Sequence, residues 1–291
     1  MKHRIYIVAL ISLSAVASSI PASAQTHAAS VQTHSVASSD GVKIVYDVRG
    51  HGDTALIFVH CGACNRHFWR DQADAFSNNY RVVTLDLAGH GDSGKDRKQW
   101  TMLGLAADVR AVADDLHLQK MILIGHSLGG PVSLEAARLM PGRVKGVVLV
   151  DVIHDVDERE SVADTQAEVE RLRKDFPGYF ADLSRAFSPT SDPSIRHWVE
   201  SQAKTADPAA TIALDLDSPN QDSKQLFANA KVPIRAINSG PPLSSATNIT
   251  ENRKYADYDV IIINDAGHFI PLERPQEFNQ ALTRWLDALT K

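Results

Sequence analysis

The sequence predicts an α/β fold: a mostly parallel, doubly wound sheet into which a helical cap is inserted. Three observations predict it. Short apolar runs of strand length recur at 55–59, 80–85, 121–124, 144–150, 232–237 and 260–263, several of them apolar throughout, as strands buried on both faces require. Helical periodicity fills most of the gaps between them, which is the alternation that builds parallel sheets. From about 155 to 230 no such strand occurs, and charged helical stretches alternate with breaks at Pro177, Pro189, Pro208 and Pro219.

Composition fits one large core. The 291 residues are 44% hydrophobic and 22% charged, which excludes disordered and collagen-like classes and leaves room for an inserted subdomain. At the amino end Lys2, His3 and Arg4 precede an apolar run over 5–17, and Ala22-Ser23-Ala24 supplies a small-residue cleavage site. Residues 1–24 are therefore read as a secretory signal peptide, and the mature protein as exported, periplasmic or secreted. Gln25, not Cys, follows the cut, so no lipid attachment is expected there. Loss of Lys2 and Arg4 takes the net charge from −5 to −7, an acidic balance that disfavours nucleic acid and anionic membrane as partners. No second apolar stretch is long enough to span a bilayer.

Taken in order, 25–40 is a loose arm leading to an edge strand near 31–36. Asp40-Gly41 marks a hairpin into a strand over 42–48. The run 55–59 ends at His60, and a crossover helix over 65–76 leads to 80–85, which ends at Asp86. The loop 87–94 is dense in glycine but lacks the spacing of a nucleotide-binding loop. Leu105, Val109, Val112 and Leu116 share one face of a helix over 103–116. After a second helix over 131–139, the strand 144–150 closes on Asp151. Helices are expected over 157–174 and 193–204 in the cap, where Phe176, Tyr179, Phe180, Leu183, Phe187 and Trp198 mainly hold the cap together. The sheet resumes at 232–237 and 260–263, and 275–289 is a closing amphipathic helix. The resulting division is 25–154 and 231–291 for the core and 155–230 for the cap.

Only two cysteines exist, Cys61 and Cys64, as C-x-x-C between His60 and His67. Two small buried thiols are the commonest outcome for such a pair. A structural disulfide is the first alternative in an oxidising compartment. A redox motif, or a metal site drawing on His60 and His67, is the second.

The chemistry concentrates at Gly125-His126-Ser127-Leu128-Gly129, between a buried strand and a helical pattern. This is a G-x-S-x-G nucleophile elbow in its strand, turn and helix setting. Glycine on either side lets the strand and helix backbones nearly touch. The helix start then aims unpaired N–H groups and the positive end of its dipole at whatever bonds to the Ser127 oxygen. His60, Asp86, Asp151, Ser239 and His268 also fall at or just after strand ends, where open parallel sheets gather their chemistry.

With Val59-His60-Cys61-Gly62, the stretch DLAGHGDS from Asp86, the elbow and Ala266-Gly267-His268-Phe269 in this order and spacing, the whole mature chain resembles the α/β-hydrolase fold superfamily. The resemblance implies Ser127 as nucleophile and His268 as general base and then acid. It implies an oxyanion hole from the backbone N–H groups of Leu128 and Gly62, and chemistry that needs no cofactor and no metal. Ser127 also needs such a base on chemical grounds, and the base needs a carboxylate to hold its tautomer.

Two departures stand out. Cys61 occupies the usual glycine position after His60. The segment after 232–237, where the superfamily most often carries its carboxylate, reads Asn238-Ser239-Gly240-Pro241-Pro242-Leu243-Ser244-Ser245, with no acid before Glu251. Some branches, including certain haloalkane dehalogenases, carry the acid after the preceding strand, and Asp151 matches that position. The predicted triad is Ser127, His268 and Asp151, with Asp155 as second candidate and a loop cap as the structural alternative for Asp151. Asp265 is too near His268 in sequence to serve. His60 and His126 are read as packing and hydrogen-bonding groups, and His67 and His90 as surface or loop residues.

The function expected is a carboxylesterase-like serine hydrolase that cleaves a small to medium apolar ester or lactone through an acyl-enzyme. Ser127 stands where dehalogenases and epoxide hydrolases of this superfamily carry Asp, which argues against those activities. Carbon–carbon bond hydrolysis, perhydrolysis and amide cleavage use the same machinery and stay open. A catalytically weak ligand-binding protein on the same fold is the alternative from another class.

Overall fold

A computed structural model describes residues 30–159, 161–181 and 186–291. The expected signal peptide and Leu183 lie outside the described residues. Eight strands, β1 (Gln32–Ala37), β2 (Lys43–Arg49), β3 (Ala55–Val59), β4 (Arg81–Leu85), β5 (Met121–His126), β6 (Val144–Val150), β7 (Ile234–Ser239) and β8 (Tyr258–Ile263), form one sheet in the order β1-β2-β4-β3-β5-β6-β7-β8. From β4 to β8 all neighbours are parallel. β1 and β2 form an antiparallel hairpin turned at Gly41, whose φ of 88° suits glycine, and β2 joins β4 antiparallel.

The buried strands alternate between two cores as the pleat requires. Ala55, Ile57 and Val59 of β3 enter one core and Leu56 and Phe58 the other. Helices α1 (Arg70–Phe76), α2 (Met102–Asp115) and α3 (Gly129–Leu139) connect the first strands. Between β6 and β7 run α4 (Val162–Lys174), α5 (Phe176–Ala181), α6 (Pro193–Ala203), α7 (Pro208–Asp217) and α8 (Ser223–Ala230). Short α9 (Ile249–Asn252) and α10 (Ile270–Glu273) precede the closing α11 (Pro275–Leu289). α2 and α3 cover one face of the sheet, α1 and α11 the other, so the sheet is doubly wound.

Pro193 and Pro275 open the helices expected there, and Pro208, expected as a break, also sits in a first helical turn, because a helix start has no use for the missing N–H. Asp207 caps α7 by accepting from the Ala210 N–H at 2.8 Å, which turns the break expected at Pro208 into a helix start. The segment 155–230 thus holds five helices among its described residues. α8 inserts Leu226, Phe227 and Ala230 into the main core, whereas Phe187 and Val199 close over Cys61, Cys64, Phe68 and Phe269. Phe187 therefore fastens the inserted segment to the core, beyond the role of holding that segment together expected for it, and burial of one such ring contributes roughly 2–3 kcal/mol. Among the described residues no helix is long and apolar enough to cross a membrane.

Candidate active site

The elbow forms where β5 runs into α3. Ser127 adopts φ of 50°, a left-handed conformation that costs a non-glycine residue on the order of 1–3 kcal/mol and persists only when its surroundings impose it. They do so here: the Ser127 N–H donates to the Val150 carbonyl at 3.0 Å, and the Gly130 N–H donates to the Ser127 carbonyl at 2.8 Å. A β-carbon at Gly125 would fall on the Gly129 carbonyl, and one at Gly129 on the Val59 carbonyl. That is the close approach for which the flanking glycines are needed. The Leu128 N–H lies at the helix start, where no intrahelical acceptor exists. Gly62 lies beside the Leu128 side chain: a β-carbon there would stand 4.0 Å from it.

Ser127, Leu128 and Gly62 line one cavity of about 460 Å³. Its walls are mixed. Met102, Pro131, Val152, Leu214 and Leu226 supply apolar surface, while Asp155, Glu158, Arg159 and Gln221 supply polar groups.

His268 lies in the loop between β8 and α10, and its Nδ1–H donates to Asp151 Oδ2 at 2.7 Å. With Nδ1 protonated, a neutral ring keeps its lone pair on Nε2. Asp151 follows β6 with φ of 47°, and its Oδ1 accepts the Ser239 N–H at 2.9 Å and the Ser239 hydroxyl at 3.0 Å. Burial would raise the Asp151 pKa, but His154, His268 and the Ser239 N–H together hold its carboxyl well below the usual carboxylate range. The end of β7, which carries no acid, thus supplies donors to an acid placed one strand earlier. Asp155 turns away, accepting from Asn248 Nδ2 at 2.7 Å and the Asp157 N–H at 2.8 Å.

Two further groups fix the His268 loop. His126 Nε2–H donates to the His268 carbonyl at 2.8 Å, with the two rings 4.6 Å apart, so the residue before Ser127 orients the loop of the general-base candidate. Glu273, which the sequence did not single out, accepts the Gly267 N–H at 3.2 Å, the Phe269 N–H at 3.1 Å and the Ser188 N–H at 2.8 Å. The available signal was an acid five residues after His268 within a helical turn, able to reach back to exposed N–H groups.

His60 accepts the Leu87 N–H on Nε2 at 3.0 Å and donates Nδ1–H to the Cys61 carbonyl at 2.8 Å. Such a ring has to be neutral, and burial pushes its pKa down to about 4. His90 corrects the sequence reading: it is fully buried, borders the cavity and donates Nδ1–H to the Ala88 carbonyl at 3.0 Å. Asp86 is also buried, but it accepts the Arg66 N–H at 2.7 Å and pairs with the Arg66 guanidinium, a structural role. The cysteines are corrected as well. Cys61 and Cys64 form a disulfide rather than two thiols, because the tight turn around Gly62 and Ala63 brings their α-carbons to 5.2 Å. Among the described residues no cluster of His, Cys, Asp or Glu is arranged to hold a metal ion.

A sheet of this order, an elbow after its fifth strand and a histidine–carboxylate pair over that elbow are the marks of one class of protein. The family described as alpha/beta hydrolase fold matches residues 54–197, and the chain belongs to it. The 2-(acetamidomethylene)succinate hydrolase of Mesorhizobium japonicum is 24% identical over 84% of this chain and 93% of its own. A dihydrolipoyllysine-residue acetyltransferase component of an acetoin cleaving system from Pseudomonas putida is 26% identical over 83% of this chain, and the match spans 65% of that relative's length. Among solved structures, a thermophilic esterase from Thermogutta terrifontis superposes with a TM-score of 0.77 at 24% identity, over 89% of this chain and 100% of that one. Est816, described as an N-acyl homoserine lactone degrading enzyme, superposes with a TM-score of 0.71 at 25% identity, over 87% of this chain and 100% of its own.

Proposed function

We propose that the protein is a cofactor-independent serine hydrolase that cleaves small to medium esters or lactones through an acyl-enzyme. The observation that carries the reading is the 2.7 Å contact of His268 Nδ1 with a buried, ionised Asp151 beside an intact elbow. In this reading Ser127 Oγ attacks the substrate carbonyl while His268 Nε2 takes its proton, and Asp151 stabilises the imidazolium that forms. The oxyanion accepts the Leu128 and Gly62 N–H groups. Collapse breaks the bond to the leaving oxygen, which takes the proton back from His268, and water repeats the sequence to release the acid.

The lactone arm draws support from Est816 and from the enol-lactonase of Burkholderia xenovorans, which superposes with a TM-score of 0.75. The mixed cavity walls suit substrates with one apolar and one polar end better than wholly apolar ones. We also place the mature protein in an oxidising compartment, on the ground that the Cys61–Cys64 disulfide persists there.

A fluorophosphonate probe is expected to label wild-type protein at Ser127 and to leave Ser127→Ala unlabelled. Wild type should also turn over p-nitrophenyl acetate, with Ser127→Ala at background. A well-folded wild type that neither labels nor turns over esters, lactones or aryl diketones would favour a binding protein and overturn the reading.

A further inference from the structure

We propose that His154 is a positioning residue for the triad, holding Asp151 from the side opposite His268; the inference rests on the serine-hydrolase reading above. Asp151 presents one oxygen to each histidine. Its Oδ2 meets His268, while its Oδ1 lies 3.3 Å from His154 Nε2. Ser244 lies between them, with its Oγ 3.0 Å from His154 Nε2 and 3.5 Å from Asp151 Oδ1. An ionised carboxylate only accepts, so Ser244 aims its proton at Asp151, and a proton on His154 Nε2 is shared between Ser244 Oγ and Asp151 Oδ1. The result is a relay of donors from His154 through Ser244 to the carboxylate.

The backbone is bent to make this contact. Asp151 and Ile153 both adopt left-handed conformations, with φ of 47° and 51°, and for a β-branched residue such as Ile153 that is a true outlier. The turn they form returns the chain so that residue 154 faces residue 151. The bend is held from the other side of the segment. The His154 carbonyl accepts the Asn248 N–H at 2.8 Å and Asn252 Nδ2 at 3.1 Å, and Asn252 Oδ1 accepts the Val156 N–H at 2.9 Å. Strain in the turn behind the candidate triad carboxylate, held by three hydrogen bonds, is the pattern found where geometry serves function. His154 also borders the cavity, and Asp151 is buried. The end of β7 and the segment after it, lacking the acid of the commoner arrangement, contribute Ser239 and Ser244 to the same carboxylate.

The test uses His154→Leu, His154→Gln, Ser244→Ala and the His154→Leu/Ser244→Ala pair in the full-length protein, with p-nitrophenyl acetate turnover and the rate of fluorophosphonate labelling of Ser127 as readouts. Gln carries a donor near the position of His Nε2. Loss of the donor in His154→Leu is expected to lower kcat about tenfold, with KM within threefold, and to slow labelling by a similar factor. His154→Gln is expected to recover to within threefold of wild type. The double variant should be no worse than the poorer single one, because both act through one relay. His154→Leu with unchanged kcat, an effect confined to KM, additive losses, or no recovery in His154→Gln would each overturn the proposal. If His154→Leu fails to fold, Ser244→Ala and His154→Gln still decide it, since the proposal requires a several-fold loss in the first and near-retention in the second. Wild type and Ser127→Ala are measured first. Failure there removes the serine-hydrolase reading and this inference together, whereas intact Ser127 labelling with unaffected His154 variants removes only the role of His154.

Discussion

Asp151 holds opposite ends of its carboxylate to two kinds of donor, and that asymmetry predicts what its amide would do. Oδ1 accepts both the N–H and the hydroxyl of Ser239, so the carbonyl of Asp151→Asn would take that place and its NH2 would turn to His268. An NH2 facing Nδ1 forces the imidazole into the other tautomer and puts a proton on Nε2, where a lone pair is needed to accept from Ser127. Asp151→Asn is therefore expected to lower kcat on p-nitrophenyl acetate by about 10³-fold or more with KM changed little. A loss below tenfold in a folded variant would show that the carboxylate is dispensable. Ser127 and Asp151 both hold left-handed backbones, and both are tied to the next strand: Ser127 to Val150, and Asp151 by its N–H to Ile237 at 3.1 Å. Neighbouring strand ends thus align the triad candidates.

The loop after β3 carries one of the two departures, Cys61 in place of the usual glycine. Cys61 and Cys64 close a ring around Gly62 and Ala63, and the helices of the insertion pack down on it through Ala203, Ala206 and Leu172. Closing so short a loop contributes about 2 kcal/mol in the chain-entropy account and restricts the turn that carries Gly62, the second oxyanion donor of the proposed mechanism. Reduction with a thiol, followed by alkylation to prove that both cysteines have opened, is expected to lower kcat about tenfold, the scale of losing one oxyanion donor in part. Cys61→Ala/Cys64→Ala should behave alike and unfold at a lower temperature. Full activity in alkylated protein would separate the disulfide from the oxyanion loop.

At the scale of the molecule, three histidines are buried and neutral. His60, His90 and His126 have their pKa values pushed down to about 4, 3 and 3, chiefly by burial. Between the unfolded value of 6.5 and these folded values only the unfolded chain binds the protons, so stability is lost as pH falls through that window. At pH 5 the loss is about 2 kcal/mol for each histidine, a large share of the 5–15 kcal/mol, roughly, that holds a domain together. Asp151, held low, adds a further loss as pH falls below its unfolded value near 4. Urea midpoints measured at pH 7, 6 and 5 are expected to drop at each step. A midpoint flat across that range would mean that at least some of these rings are charged or exposed in the folded protein.

The fold was legible because its signals are local. Runs such as 55–59 and 144–150 carry the apolar residues of a strand buried on both faces, and the glycines at 125 and 129 state how closely two backbones must pass. Ser127 could be nominated from the elbow motif, and His268 and Asp151 from the resemblance to the superfamily. The rest depended on contacts between residues far apart in the chain, which no local pattern encodes. Glu273 looks like a helix residue until its carboxylate is seen to hold the backbone on both sides of His268. His90 reads as part of a loop until the packing of that loop buries it, and the helix at Pro208 reads as a break until Asp207 caps it. The sequence by itself determined the succession of strands and helices along the chain, the elbow and the residues able to do the chemistry, since these follow from periodicity, backbone freedom and side-chain type. Only the tertiary structure decided which partners each of them meets: that Ser239 and Ser244 serve Asp151, that the cysteines pair, and that a strained turn returns His154 to the carboxylate. Those outcomes rest on the approach of separate strand ends, and only the packed sheet sets those distances.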